Sequence, residues 1–270
     1  MTDVDYRFKV KREELKRADG TDTEYDAIYR ASDGKQLSVV SRGYQLITHD
    51  KAMDFVFGEL DKAGLVWEEK RCELTNEGKR LLHEITFPGY EFDIPGDNSG
   101  SVPSLKTRNS IDRSRSFTLD FGTWRLVCSN GASVGTKLWY VSQIHYMDQI
   151  KFDEIGPQIG PRIEETISFV KTNAARLLNE SAKKYMKDLL RTMPALFLSM
   201  TAGELAEWFT FEMKMKGGIE VPTKAKVKKA MDAYQLFQVL TAVATHRIRS
   251  AGKRQKVDAQ ISRLMLKETV

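Results

Sequence analysis

Cations and aromatic rings crowd the stretch from Lys106 to Tyr140. Lys106, Arg108, Arg113, Arg115, Arg125 and Lys137 stand there against only Asp112 and Asp120. Thr107, Asn109, Ser110, Ser114 and Ser116 are interleaved, and Trp124, Trp139 and Tyr140 lie close by. Single-stranded nucleic acid asks for this mixture, because cations meet phosphates and flat rings meet unstacked bases. Arginine adds forked, bidentate contacts to phosphate. A plainer reading stays open, in which the arginines face solvent from a sheet and the tryptophans fill a core. A second basic cluster holds Arg247, Arg249, Lys253, Arg254 and Lys256, with Lys224, Lys226, Lys228 and Lys229 at the start of what reads as the same helix. Cations at a helix C-terminus are favoured by its dipole, so Arg247 and Arg249 require no ligand.

Other chemistries find little support. There is no Gly-x-x-x-x-Gly-Lys-Ser/Thr phosphate loop, Gly-x-Gly-x-x-Gly fingerprint, His-Glu-x-x-His helix or Gly-x-Ser-x-Gly elbow. His49, His83, His145 and His246 are scattered, and on a strand His83 and Glu84 face opposite ways. Metal-dependent nucleases hold divalent ions with clustered carboxylates, and Asp93, Asp97, Asp112 and Asp120 could supply such groups, but their spacing matches no such motif. Cys72 and Cys128 are too few for a disulfide scaffold or a zinc site of their own. No catalytic residue, cofactor or metal ligand is assigned.

The elements that must carry these residues follow from periodicity. Tyr25, Ala27, Tyr29 and Ala31 alternate with polar residues, Asp33-Gly34 turns, and Leu37, Val39 and Val40 follow. Thr48 can cap a helix through Ala52, Phe55, Val56, Leu60 and Ala63, which Gly64 stops. Val66 to Leu74 and Leu81 to Phe87 read as strands joined at Asn76-Glu77-Gly78. Pro88 to Ser104, rich in Pro and Gly, reads as a long mobile loop. Strands resume at Lys106 to Asn109, Phe117 to Phe121 and Trp124 to Cys128, with a turn at Asn130-Gly131. From Gln158 the period is helical, through Ile159, Ile163, Ile167, Val170, Ala174 and Leu177. Pro194 interrupts the next helix, Thr201 to Glu204 reads as a capping box before Leu205, Trp208 and Phe209, and Thr223 starts a last long helix through Val227, Tyr234 and Ile248. Gly252 to Lys256 then leads to a short amphipathic tail.

The predicted class is α+β. A mainly antiparallel sheet with helices occupies the N-terminal half, residues 1–150, and a helical part follows over 151–270, either separate or packed on the same core. The 270 residues suffice for a real core, and no apolar run reaches membrane length. The first eleven residues hold no signal core, which places the protein in the cytoplasm of its cell. Residues 1–150 carry 21 Lys and Arg against 24 Asp and Glu, and residues 151–270 carry 21 against 13. A basic half suggests an anionic partner.

Arg125-Leu-Val-Cys-Ser-Asn-Gly131 resembles a segment of proteins borne by phages, prophages and plasmids, the family catalogued as domain of unknown function 932. Ile111-Asp-Arg-Ser114, Val40-Ser-Arg-Gly-Tyr44 and Thr241-Ala-Val-Ala-Thr-His246 resemble its other short motifs. The chain departs from the pattern at Arg113, where glycine is common. The resemblance spans Val39 to His246 and implies a mobile-element origin in a host cytoplasm. Phage genes of this size often serve replication, recombination or transcription. The favoured reading is a non-enzymatic protein that binds single-stranded DNA or RNA, of the annealing kind, with homo-oligomers allowed and no membrane partner. The alternative is a protein–protein interaction factor acting on host or phage machinery. A metal-dependent nuclease comes third.

Overall fold

The computed structural model describes residues 5–94, 97–125, 133–134, 140–146, 151–194, 196–197, 205–248 and 251–266. The class is α+β, with antiparallel strand pairing and helices mainly in the second half. Residues 1–90, 103–121 and 139–164 form one compact unit, and residues 91–102, 122–138 and 165–270 form another.

The first unit opens with a three-stranded antiparallel meander, β1 (Val10–Lys16), β2 (Asp22–Arg30) and β3 (Gln36–Ser41). Gly34, at φ +67°, supplies the left-handed turn expected at Asp33-Gly34. β1 escapes the alternation rule because Lys11 to Glu14 is a charged run. Arg12 on that strand ties the meander together. Its guanidinium pairs with Asp26 at 2.6 Å and donates to the carbonyls of Arg42 and Tyr44, each at 2.9 Å. Ile28, Leu37, Val40, Tyr44 and Ile111 form a small core.

Helix α1 (His49–Lys62) lies where Thr48 and Gly64 bracket it, and it buries Ala52, Met53, Val56 and Leu60. The Thr48 hydroxyl turns to the Asp50 carboxylate and makes no cap. The main sheet uses β4 (Glu68–Thr75), β5 (Arg80–Thr86), β7 (Asp97–Ser110), β8 (Phe117–Arg125) and β10 (Tyr140–Gln143), in the order β10-β8-β7-β5-β4. Asn76, Glu77 and Gly78 all have positive φ in the β4–β5 turn. Leu81, Ile85, Leu105, Phe117 and Leu119 are buried, and Phe55 of α1 meets Phe117 at 6.3 Å. Phe152, on the short helix α2 (Phe152–Ile155), stacks on Phe55 at 4.2 Å.

The expected loop over Pro88 to Ser104 is instead largely strand. β6 (Phe92–Ile94) pairs with the start of β7, and β7 continues without interruption to Ser110. Pro103 marks the end of the β5–β7 ladder, which runs from Ser104 onward: Phe87 still donates to the Pro103 carbonyl at 3.2 Å, but Pro103 has no N–H to return the bond. The short β9 (Ser133–Val134) pairs with the end of β8. Asn130-Gly131 and Thr201 to Glu204 lie outside the described residues.

The second unit is built on α3 (Pro161–Leu178), α4 (Lys183–Thr192), the hairpin β11 (Phe209–Lys216) and β12 (Ile219–Val227), α5 (Ala233–Arg247) and α6 (Ala251–Met265). Leu177, Leu189, Phe197, Leu205, Phe209, Leu236, Leu240 and Ile261 fill one core. Glu180 is a polar knot. It accepts from Lys184 at 2.6 Å, from the Tyr185 hydroxyl and from Arg176 at 3.0 Å. These bonds, led by those from Lys184 and Tyr185, hold its carboxyl down at about 2. Arg176 also reaches the Met265 carbonyl and so ties α3 to the end of α6.

Two helical expectations are corrected here. Thr223 starts no helix; it lies in β12, because Gly217 and Gly218, at φ +59° and +80°, make a two-residue hairpin turn that sends the chain back on itself. The helix begins at Ala233, where Asp232 and Gln235 form a reciprocal capping box. Gly252 to Lys256 and the expected tail form the single helix α6. No helix among the described residues is long and apolar enough to cross a membrane.

Candidate nucleic-acid interface

The hairpin of β11 and β12 concentrates exposed positive charge. Residues paired across an antiparallel ladder share a face. Phe209 pairs with Val227, Phe211 with Ala225 and Met213 with Pro222, and this face turns Phe209 and Pro222 into the core. The opposite face pairs Thr210 with Lys226, Glu212 with Lys224, Lys214 with Val221 and Lys216 with Ile219. A register shift after Glu212 leaves Thr223 as an extra residue on β12. That bulge brings Lys224 and Lys226 onto the same face as Val221 and Ile219. The Thr223 hydroxyl donates to the Glu212 carbonyl at 3.1 Å and pins it.

This face therefore holds four lysines and one carboxylate. Glu212 accepts from Lys226 at 3.0 Å, with Lys224 at 3.9 Å, and these cations hold its carboxyl below the usual range. Among the described residues, no carboxylate lies within ion-pair reach of Lys214 or Lys216. The tip is apolar as well as basic, with Met215 67% and Ile219 59% exposed. At the base, Lys229 lies 4.6 Å above the Trp208 ring, while Lys228 donates to the Ala206 carbonyl.

Of the cations singled out between Lys106 and Tyr140, the described ones, Lys106, Arg108, Arg113 and Arg115, do not share one exposed path. β5 pairs Glu84 with Lys106 and Leu82 with Arg108, so Lys106 and Arg108 share a sheet face. Lys106 lies 3.5 Å from Glu84, and Arg108 lies 3.4 Å from Asp120; Glu84, Arg108 and Asp120 are buried. Opposite charges alternate there, so the face is polar with little net charge. Arg113 is exposed, at φ +59°. Arg115 is half-buried, and burial together with the Arg80 and Arg108 charges lowers its guanidinium from the ordinary range. Arg125 ends β8 and Tyr140 starts β10, but their side chains, like Lys137, Trp139 and Arg249, lie outside the described residues. Arg247 closes α5 as an exposed cation; Lys253 is exposed and Arg254 half-buried in the first turn of α6.

Asp112, Tyr44 and His49 have structural roles. Asp112 accepts from the Ser114 N–H at 3.1 Å, from the Ser114 hydroxyl, and from the Asn76 amide at 2.9 Å. Burial pushes its carboxyl up, but these bonds and the Arg80 charge outweigh burial and hold it low. The Tyr44 hydroxyl donates to the Ser110 carbonyl at 3.0 Å, and its ring stacks on His145 at 5.4 Å. Thus Val40 to Tyr44 and Ile111 to Ser114, separate in sequence, brace one turn. His49 donates from Nε2 to the Gly78 carbonyl at 3.0 Å and accepts at Nδ1 from Asn109 at 3.1 Å. Burial lowers its imidazole to about 4, so it stays neutral. Burial, with Glu69 and Glu73, raises the Cys72 thiol to about 11, which leaves it protonated and poorly nucleophilic. Of the aspartates weighed as a metal cluster, Asp93 is exposed, Asp112 is a turn residue and Asp120 faces Arg108.

The lysine ribbon was within reach of sequence reasoning. Phe209, Phe211, Met213 and Met215 alternate with polar residues up to a Gly-Gly pair, a hairpin signature that the flanking helical periods hid. The fold and this ribbon define an α+β protein that presents a cationic, apolar-tipped β-hairpin. The chain belongs to the family described as Domain of unknown function (DUF932), whose model matches residues 36–264. No curated protein and no solved structure matches it.

Proposed function

We propose that the protein is a non-enzymatic binder of single-stranded nucleic acid and that the β11–β12 ribbon is its contact surface. One observation carries the reading: Lys214, Lys216, Lys224 and Lys226 share one solvent-facing side of a hairpin with Ile219 and Val221. The lysines meet phosphates, which carry no base information. The face carries no aromatic ring to stack on; Ile219 and Val221 between the lysines offer apolar contact to base faces, which a single strand exposes and a stacked duplex hides. Apart from the lysines, whose flexible ammonium groups go to phosphates, only Thr210 and Glu212 on that face could hydrogen-bond a base edge, so binding is expected to vary little with sequence.

The experiment is a titration of the full chain with labelled single-stranded and duplex oligonucleotides of several sequences, each at low and moderate salt. The expected result is binding that prefers the single strand, varies little with sequence and weakens with salt. Absence of binding at low salt would refute the reading and favour a protein partner for the exposed Met215 and Ile219.

A further inference from the structure

Three potential metal donors converge in the first unit, far in sequence from the ribbon. Cys72 on β4 and His83 on β5 are direct cross-strand partners. Glu69 lies three residues before Cys72, and in a regular strand an odd separation puts two side chains on opposite faces. Here the β4 register shifts between Glu69 and Arg71, so Glu69 pairs with Ile85 while Cys72 pairs with His83. Ile85 and His83 are two residues apart and share a face, and Glu69 therefore joins Cys72 there. Bulges that re-aim a side chain in this way are over-represented beside functional sites.

The ligand atoms of Glu69, Cys72 and His83 all lie within 4.8 Å of one another, and His83 Nε2 is 2.6 Å from Glu69 Oε2. Zinc bonds of about 2.0–2.3 Å place neighbouring donors of a tetrahedron about 3.3–3.6 Å apart. His83 is 1% exposed and walled by the edges of Tyr6, at 6.0 Å, and Phe57, at 5.6 Å. Trp67 stacks on Phe57 at 4.3 Å behind it. Glu69 and Cys72 are only half-buried, so solvent reaches the donors from one side.

We infer that Glu69, Cys72 and His83 form a binding site for a zinc ion. A sulfur, a nitrogen and a single carboxylate suit a borderline cation and not magnesium or calcium, which take oxygen ligands. Three protein ligands leave the fourth tetrahedral position to water or an added ligand. Loading exchanges the thiol proton, released to solvent, for a zinc–sulfur bond, and the imidazole ligates in its neutral form. The competing account is a buried histidine satisfied by a carboxylate, with a thiol that happens to lie beside them.

The test uses the full chain, stripped with a chelator and titrated with zinc, and separately with cobalt as a spectroscopic stand-in. The expected result is one zinc per chain. The cobalt form should show intense visible bands of tetrahedral geometry and a near-ultraviolet thiolate-to-metal band. Cys72→Ser should abolish the thiolate band and weaken zinc binding by more than about 100-fold, since even outer-shell changes cost about 10–100-fold. Cys128→Ser should change neither. Glu69→Gln should weaken binding while the thiolate band survives at saturating cobalt. Thermal melting without metal verifies that each variant is folded. A folded parent that binds no stoichiometric zinc would overturn the assignment, as would a Cys72→Ser variant that binds as tightly as the parent.

Discussion

Replacing Lys214 and Lys216 together with alanine isolates the two ribbon cations that form no direct ion pair with a carboxylate among the described residues, although the Glu212 charge is felt at Lys214. On a single strand, each lost phosphate contact makes the slope of log affinity against log salt shallower by about 0.7, so the pair should change it by about 1.4. Between 50 and 200 mM salt, a fourfold change, the parent should then lose about 7-fold more affinity than the variant. Both side chains are exposed, so unfolding should shift by no more than about 0.5 kcal/mol. Glu212→Gln supplies the opposite sign. Glu212 sits 3.0 Å from Lys226 and 3.9 Å from Lys224, and its removal frees both for phosphate. Affinity at low salt should rise and the slope steepen. Anisotropy of a labelled oligothymidine over a salt series reads both quantities. A folded double variant with the parent's affinity and slope would refute the ribbon as the contact, and so would a Glu212→Gln variant that binds more weakly.

Other perturbations probe the scaffold. Arg108→Ala leaves Asp120 buried without its guanidinium and should cost about 3–5 kcal/mol, read by urea unfolding; a loss under 1 kcal/mol would mean that the 3.4 Å pair contributes little. Arg113→Gly should raise stability by about 0.5–1 kcal/mol, because a side chain at φ +59° is strained where glycine is not, and a lower melting temperature would contradict that. His49 has a folded pKa near 4 against 6.5 when free, so the unfolded chain binds the extra proton between those values. Its contribution, about 3 kcal/mol, is complete above pH 6.5 and is lost as pH falls toward 4. Denaturant midpoints from pH 7 to 5 should fall less steeply in His49→Gln than in the parent; parallel curves would remove His49 as a cause.

Strong local signals survived into the structure. Asp33-Gly34, Gly64 and Asn76-Glu77-Gly78 end the elements they suggested, because turn chemistry acts within a few residues; Thr48 stands at the expected helix start but makes no cap. The departure at Arg113 was informative in the same way: the position takes a left-handed conformation, which is why glycine suits it. Pro88 to Ser104 misled because tertiary pairing overrode its Pro and Gly content. Lys224 to Lys229 misled because a two-residue turn upstream changed the period. The partners of Lys106 and Arg108 were invisible for a different reason. Glu84 comes from another strand, and whether Arg108 meets Asp120 or solvent depends on what covers the sheet. The convergence of Glu69 with Cys72 depends on a bulge that no local residue announces.

The three-stranded meander also bears on how this protein should be cut. The family match begins at residue 36, which is the first residue of β3. A fragment started there would discard β1 and β2, and with them Ile28 from the small core and the Arg12 guanidinium that holds the carbonyls of Arg42 and Tyr44. Its β3 would keep a row of backbone donors and acceptors with nothing to pair against, a template for joining another chain. Such a fragment is expected to come out of solution as aggregate, whereas one that begins before Val10 keeps β2 paired on β3 and leaves the charged β1 as the outer strand. The span by which the family is matched is therefore expected to be shorter than the span that folds on its own.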